Sequence, residues 1–258
     1  MEVSAMNTNH HRTLVLTGDG INCEKETIRA FEAAGSKVTL NHVNDFLEHP
    51  EQLLHYSILA LPGGFSFGDE LRSGKILAEK MRSRLKIDQN PSLLDQFLKQ
   101  GGLIIGICNG FQVLMQLGVF GPFTLATNDH HEFRNFWTEL KIPANAPSSP
   151  WINDLPKETL MTMPVRHKEG RIVVQTNNPH QNLTVAFYYP TPINGSYQNA
   201  AAILDATGQI LGIMPHPEAA THPFLHPEGL STDATTNAKL MNQLFRSAVK
   251  YKANEQKS

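Results

Sequence analysis

Two cysteines in 258 residues, Cys23 and Cys108, are too few for a disulfide framework. One pair in a chain of this size fits a reducing compartment better than a secreted scaffold. No uninterrupted apolar stretch approaches the ~20 residues that a membrane-spanning helix needs, and the opening MEVSAMNTNHHRT carries no apolar signal core. The expectation is a soluble, cytoplasmic protein with no membrane partner, preceded by a flexible polar leader over residues 1–11. Lysine and arginine form no long block, and 22 of them against 24 acidic residues leave a formal net charge of -2. Neither a nucleic-acid footprint nor a polybasic membrane patch is expected. Repeats and low-complexity tracts are missing as well, so partners have to be argued from sites.

What is present reads as ordinary globular material, 40% hydrophobic and 18% charged. At roughly 150 residues per domain the length admits one or two units. PANAPSSP (143–150) is a loop and no convincing linker, so residues 12–258 are expected to form a single domain. Short β-branched runs alternate with helical patterns: TLVLT, KETIRAFEAAG, KVTLNHV, SILALPGG. That alternation is the grammar of an α/β fold. Gly35 ends the first helical pattern, and Pro62, Gly63 and Gly64 break the chain directly after the strand SILAL. Helices are expected over 71–84, 92–100 and 110–117. After them FRNFWTELKI, TLMTMPV, GRIVVQ, TVAFYY, AAILDA and QILGIMP make the second half strand-rich, before an amphipathic helix in DATTNAKLMNQLFRSAVKYK. Ligands of such sheets bind beyond the carboxyl ends of the strands.

Directly after the apolar run LIIGI, the segment Gly106-Ile107-Cys108-Asn109-Gly110 has the spacing of a G-x-nucleophile-x-G elbow, a sharp strand-to-helix turn. Its glycines allow neighbouring backbone to pass close. At the N-terminal end of a helix the dipole favours a thiolate, and the backbone N–H of Asn109 can face a developing oxyanion. A small buried hydrophobe in a turn is the alternative reading of Cys108.

A cysteine nucleophile needs a base. Of twelve histidines, His216 in GIMPHPEAA lies just past a strand, between two prolines, with Glu218 two residues on. A carboxylate on one ring nitrogen fixes the tautomer and leaves the other nitrogen for the thiol, the logic of a catalytic triad. A histidine in such a loop is also a common surface or capping group. Gly63 and Gly64, at the end of another strand, can point backbone N–H groups into the same cleft, or simply make a turn.

GICNGFQVLMQLG, LPGGFSFGDELRSGKILA and GIMPHPE together resemble the class I, or triad-type, glutamine amidotransferases. GDGINCEKETIRAFEAAG, GGFSFGD, MPVRHKEGR and INGS narrow the resemblance to the glutaminase subunits of phosphoribosylformylglycinamidine synthases, over about residues 13–245. It implies a flavodoxin-like α/β fold with a largely parallel central sheet flanked by helices. It implies Cys108 as nucleophile, His216 as general base and acid, Glu218 as the carboxylate that orients the histidine, and Gly64 and Asn109 as oxyanion-hole positions. Gly63, Phe65, Asp69 and Gln112 fall where the family lines or supports its glutamine pocket, and His167 and Asn194 match motifs characteristic of these subunits. Cys23 matches a family cysteine read as structural.

The implied reaction is hydrolysis of glutamine to glutamate and ammonia through a cysteine thioester. The implied partner is a large synthetase subunit that uses the ammonia to convert formylglycinamide ribonucleotide to the amidine in purine biosynthesis. ATP and magnesium are expected on that subunit, and no cofactor on this one. GDELRSGKI is no P-loop, since five residues separate Gly68 from Gly74 and Ile76 stands where Ser or Thr binds magnesium. His216, His222 and His226 crowd one loop, with His130 and His131 elsewhere, but fit no zinc spacing, and no metal is expected. Two departures touch the resemblance: Ala219 follows the His-Pro-Glu and Thr127 precedes Asn128, where the family commonly has arginine. A lost guanidinium removes a bidentate carboxylate partner. A glutaminase serving another synthetase, and a non-catalytic relative on the same fold, therefore stand beside the purine reading.

Overall fold

The computed structural model describes residues 11–69, 71–175 and 183–255. The expected leader lies outside them except for His11, whose carbonyl accepts from the Lys37 N–H at 2.7 Å. The chain runs β1 (Arg12–Thr17), α1 (Glu24–Ala33), β2 (Lys37–His42), α2 (Val43–Glu48), β3 (Ile58–Leu61), α3 (Lys75–Arg84), α4 (Leu93–Lys99), β4 (Leu103–Ile107) and α5 (Asn109–Leu117). It continues through β5 (Phe123–Ala126), β6 (Arg134–Leu140), β7 (Met161–His167), β8 (Arg171–Val174), β9 (Val185–Tyr188), β10 (Ala200–Leu204), β11 (Ile210–Ile213) and α6 (Thr232–Glu255).

Seven strands form one sheet in the order β2-β1-β3-β4-β11-β10-β9. The first five run parallel and β10 is antiparallel to both β11 and β9, so the expected α/β architecture with a largely parallel sheet is found. Every residue of β3 and β4 is buried, as helices on both faces of a parallel sheet require. The strand-rich second half divides by pairing: β9, β10 and β11 complete the main sheet, whereas β5 pairs with β8 and β6 with β7 in two separate ribbons. Sequence periodicity did not show β5, a four-residue strand that alternates buried and half-buried side chains.

One helix boundary differs from expectation. The pattern over 71–84 becomes helical only at Lys75, after Gly74 at φ 72°. Asp69 holds the preceding turn open by accepting from Ser73 Oγ at 3.0 Å and from the Gly74 N–H at 3.3 Å. By contrast α4 starts where its sequence says, on a reciprocal capping box between Ser92 and Asp95. Among the described residues no helix is long and apolar enough to cross a membrane.

The centre of the molecule is α5, with eight of its nine residues buried. A Cβ on Gly110 would lie 2.6 Å from the carbonyl carbon of Leu61 in β3, and one on Gly106 would lie 2.6 Å from the Gly110 carbonyl oxygen. The two flanking glycines of the elbow therefore let α5 rest on the backbone of the sheet. The segments that follow β1, β3, β4 and β11 meet at one end, beyond the carboxyl ends of these parallel strands.

Candidate active site

Cys108 occupies the turn between β4 and α5 at φ 50° and ψ -104°, a backbone state that costs a non-glycine residue about 1–3 kcal/mol. It is held there on both sides. Its N–H donates to Ile213 O at 2.8 Å, and its carbonyl accepts from Gln112 N–H at 3.0 Å, the first bond of the helix. The thiol is 3.5 Å from Arg166 O.

His216 follows β11, and its N–H donates to Pro164 O at 2.9 Å. Pro217 opens a short 3-10 turn that swings Glu218 back beneath the ring. The Glu218 carboxylate then meets His216 Nδ1 at 2.6 Å, with both residues only 2% exposed. Burial alone would keep the imidazole neutral. The carboxylate on one side and the Cys108 sulphur on the other outweigh it, and the pKa of His216 lies well above the usual histidine value. Nε2 has no hydrogen-bond partner among the described residues.

Gly63 explains how these groups share one space. A Cβ there would lie 2.8 Å from His216 Cε1, 3.2 Å from Cys23 Sγ and 3.5 Å from Cys108 Cβ. Both cysteines and the histidine thus converge on its bare face. Gly64, at φ 145°, has no room either, since a Cβ would lie 2.8 Å from Ile21 Cα. Around it the Phe65 N–H donates to Gly20 O and the Asn22 N–H to Gly63 O. In such an antiparallel bridge between Ile21 and Gly64 the central residue's own N–H points away from the pairing. The N–H of Asn109, in the first turn of α5, is likewise outside the helix ladder. Two backbone donors beside a thiol are what an oxyanion requires.

The remaining sequence candidates divide into those on the cavity and those behind it. A cavity of about 260 Å³ contains Cys108 and His216 and is lined also by Cys23, Gly64 and Phe65. A larger one of about 670 Å³, bounded by Asp19, Phe67 and Ile76, shares Asn22 and Phe65 with it but has neither nucleophile nor base. Asp69 and Gln112 stand behind the cavity. Asn109 joins them: its Nδ2 donates to Asp69 Oδ1 at 3.2 Å and to Gln112 Oε1 at 2.9 Å, while its Oδ1 accepts the Ser66 N–H at 3.1 Å. Gln112 Nε2 donates to Glu169 O at 2.8 Å, and the Glu169 carboxylate pairs with Arg72 at 2.8 Å. Burial pushes the Asp69 carboxyl upward against the bonds it accepts from Ser73, Gly74 and Asn109. These side chains fix the loop carrying Gly64 to the helix carrying Asn109.

His167 and Asn194 also lie off the cavity lining. Asn194 Nδ2 donates to Gly170 O at 2.9 Å, and His167 Nδ1 pairs with Asn128 Oδ1 at 3.2 Å. Together they pin the turn between β7 and β8. Burial, then the fields of His216, His130 and Arg134, lowers the pKa of His167 to about 3. Since the unfolded chain titrates this group near 6.5, it binds the proton first as the pH falls. The stability His167 contributes is complete above pH 6.5 and is lost on the way to about 3. His167→Gln is expected to flatten the pH dependence of the unfolding free energy, measured by urea titration, in that window by on the order of a few kcal/mol. Parallel curves for the two proteins would refute this.

The sequence reading overlooked Asn22, Phe133, Asn135 and Arg166, all on the cavity. Phe133 faces Phe65 with ring centroids 6.5 Å apart. The thiol of Cys23, read as structural, stands beside His216. Ligand atoms of Cys23, His216 and Glu218 lie within 4.8 Å of one another. In this trio the Nδ1 and carboxylate are already bonded to each other, so a metal there would displace that bond. His222 and His226 leave the site: His222 stacks on Phe224, and His226 packs edgewise on Trp137. Ala219 is buried in the 3-10 turn.

A thiol on a strained turn, a buried imidazole set by a carboxylate, and two backbone N–H groups outside the ladders are the kinds of group that acyl transfer from a neutral amide uses. Comparisons with known proteins agree. A family model of the CobB/CobQ-like glutamine amidotransferase domain matches residues 10–252. The phosphoribosylformylglycinamidine synthase subunit PurQ of Methanococcus maripaludis is 35% identical over 242 residues, which cover 84% of this chain and 85% of the relative. Its counterpart from Dehalococcoides mccartyi is 34% identical over 261 residues, 93% of this chain and 97% of the relative. Among solved structures, PurLQS from Thermotoga maritima superposes with a TM-score of 0.74 at 28% identity, covering 94% of this chain and 99% of that one. A GMP synthase subunit protein from Thermoplasma acidophilum, at a TM-score of 0.60 and 17% identity over 96% of this chain and 99% of that one, shares the fold.

Proposed function

The chain belongs to the CobB/CobQ-like glutamine amidotransferase family, and from that membership we propose that it is a glutaminase subunit of phosphoribosylformylglycinamidine synthase. The observation that carries this reading is the convergence of Cys108, His216 and Glu218 on the bare face of Gly63. Cys108 attacks the carboxamide carbon of glutamine as a thiolate, and the oxyanion faces the N–H groups of Gly64 and Asn109. Protonated His216, its charge held by Glu218, gives its proton to the departing nitrogen as the C–N bond breaks. Ammonia leaves and a thioester remains. Neutral His216 then takes a proton from water, which attacks the thioester. As the C–S bond breaks, the new carboxyl group gives its proton to solvent, glutamate is released, and the Cys108 thiolate and protonated His216 are restored.

Ammonia passes in this reading to the large synthetase subunit, where ATP and magnesium act and formylglycinamide ribonucleotide becomes the amidine. A cytoplasmic location goes with it, in keeping with two free cysteines.

The test is glutamate release from glutamine by the purified chain, alone and with that synthetase, its ribonucleotide and ATP. Slow release alone and a rise of roughly 10²-fold on adding the partner are expected, the size of effect when docking completes an oxyanion hole. Hydrolysis that ignores the partner would move the subunit to another synthetase, in line with Ala219 and Thr127. No hydrolysis in any mixture would leave a binding module.

A further inference from the structure

One cation on the cavity has no counterion among the described residues. Arg166 lies on β7 between Val165 and His167, both turned into the core, while its own side chain is exposed. Directly opposite in the register of β6 and β7 stands Asn135. Both residues line the cavity that holds Cys108 and His216, and Arg166 O is 3.5 Å from the nucleophilic sulphur. Two other arginines near this end are engaged, Arg72 with Glu169, and Arg134 with His130 and the Phe136 ring, while Arg171 does not line the cavity. Arg166 has no hydrogen bond or ion pair among the described residues, and it is the one cationic side chain among those lining the cavity apart from His216.

We propose that Arg166, with Asn135 beside it, forms the subsite that holds the α-carboxylate of glutamine. The inference rests on the glutaminase reading above and adds how the outer end of the substrate is recognised. Once the carboxamide is at Cys108, two methylenes separate it from the carbon bearing the ammonium and the carboxylate. The rings of Phe65 and Phe133 suit the methylenes, and a guanidinium fork suits the carboxylate. Arg166 therefore supplies the guanidinium from the hairpin that overhangs the nucleophile. It positions the substrate and takes no part in bond making.

The experiment uses two readouts. In steady-state hydrolysis by the synthetase complex, Arg166→Ala is expected to raise KM for glutamine about 10–100-fold, with kcat within roughly threefold, and Arg166→Lys to recover part of the loss. Glutaminamide, which lacks the carboxylate, should be a poor substrate that wild type and Arg166→Ala handle alike. In the second readout, glutamine titrated calorimetrically into Cys108→Ala and into Cys108→Ala/Arg166→Ala should bind the double variant about 10–100-fold more weakly. An unchanged KM, an equal loss for glutamine and glutaminamide, or equal binding by the two variants overturns the subsite. So does an Arg166→Ala defect confined to activation by the synthetase, which would make the residue a docking contact. If wild type binds glutamine through Arg166 but releases no glutamate, the subsite stands and the glutaminase reading falls.

Discussion

Replacing Cys108 by alanine is expected to lower glutamine hydrolysis by on the order of 10⁶-fold while leaving the fold intact. The Cys108 thiol sits on the elbow beside His216 and forms the acyl intermediate in this reading, and its removal from a 5%-exposed site creates little cavity. Alanine also retains the positive φ of 50°, so the elbow keeps its strain and its contacts to Ile213 and Gln112. Glu218→Gln is expected to lose less, roughly 10⁴-fold, because the imidazole remains but its tautomer and its charge are no longer held. The ordering is informative, since a nucleophile is indispensable and an orienting carboxylate is not. Release of glutamate should be measured for both variants beside wild type, with a near-ultraviolet spectrum to show the native packing. A Cys108→Ala protein retaining even a hundredth of wild-type activity would mean that the thiol is not the nucleophile.

The second large effect concerns stability. Gly110→Ala is expected to cost about 3 kcal/mol or more, because the added methyl meets main chain that has nowhere to go. Its Cβ would overlap Leu61 O and lie 2.6 Å from the Leu61 carbonyl carbon, in a central strand with neighbours on both sides. Relief requires lifting α5 from the sheet, and eight of nine α5 residues are buried. For a chain of this length that corresponds to a fall in Tm of roughly 6–12 °C, or to failure to accumulate folded protein. Gly118→Ala supplies the control. At φ 82° it carries the strain of a left-handed residue but nothing lies within 4 Å of its Cβ, so only about 1 kcal/mol is expected. Should Gly110→Ala melt no lower than Gly118→Ala, close packing of α5 on β3 is not what the glycine provides.

Much of the site could be read in one dimension because its parts are local. Gly106 and Gly110 flank the nucleophile within five residues, and the turn from β4 to α5 needs both of them bare. His216 and Glu218 are two apart, and Pro217 starting a 3-10 turn is enough to put the carboxylate under the ring. The alternation of β1, α1, β2 and β3 was visible for the same reason, since period and punctuation are properties of neighbouring residues. Asp69, Gln112, His167 and Asn194 matched motifs as clearly as Cys108 did. Motif matching says nothing of which way a side chain points, and these four turn into hydrogen-bond networks behind the cavity. The helix expected from Leu71 begins at Lys75 because a distant pairing, Asp69 with Asn109, keeps the Asp69 turn anchored to α5.

The residues by themselves determined the α/β alternation, the elbow at Cys108 and the coupling of His216 to Glu218, all set by steric and hydrogen-bonding rules acting within a few positions. Only the tertiary structure decided that Cys23, Gly63, Cys108 and His216 share one space, that Asn109 ties the glycine loop to the nucleophile's helix, and that Arg166 overhangs the cavity. The physical reason is the sheet: parallel pairing of β1, β3, β4 and β11 brings the segments after those strands to one end whatever their separation along the chain, and the β6–β7 ribbon packs over that end by contacts no local pattern encodes.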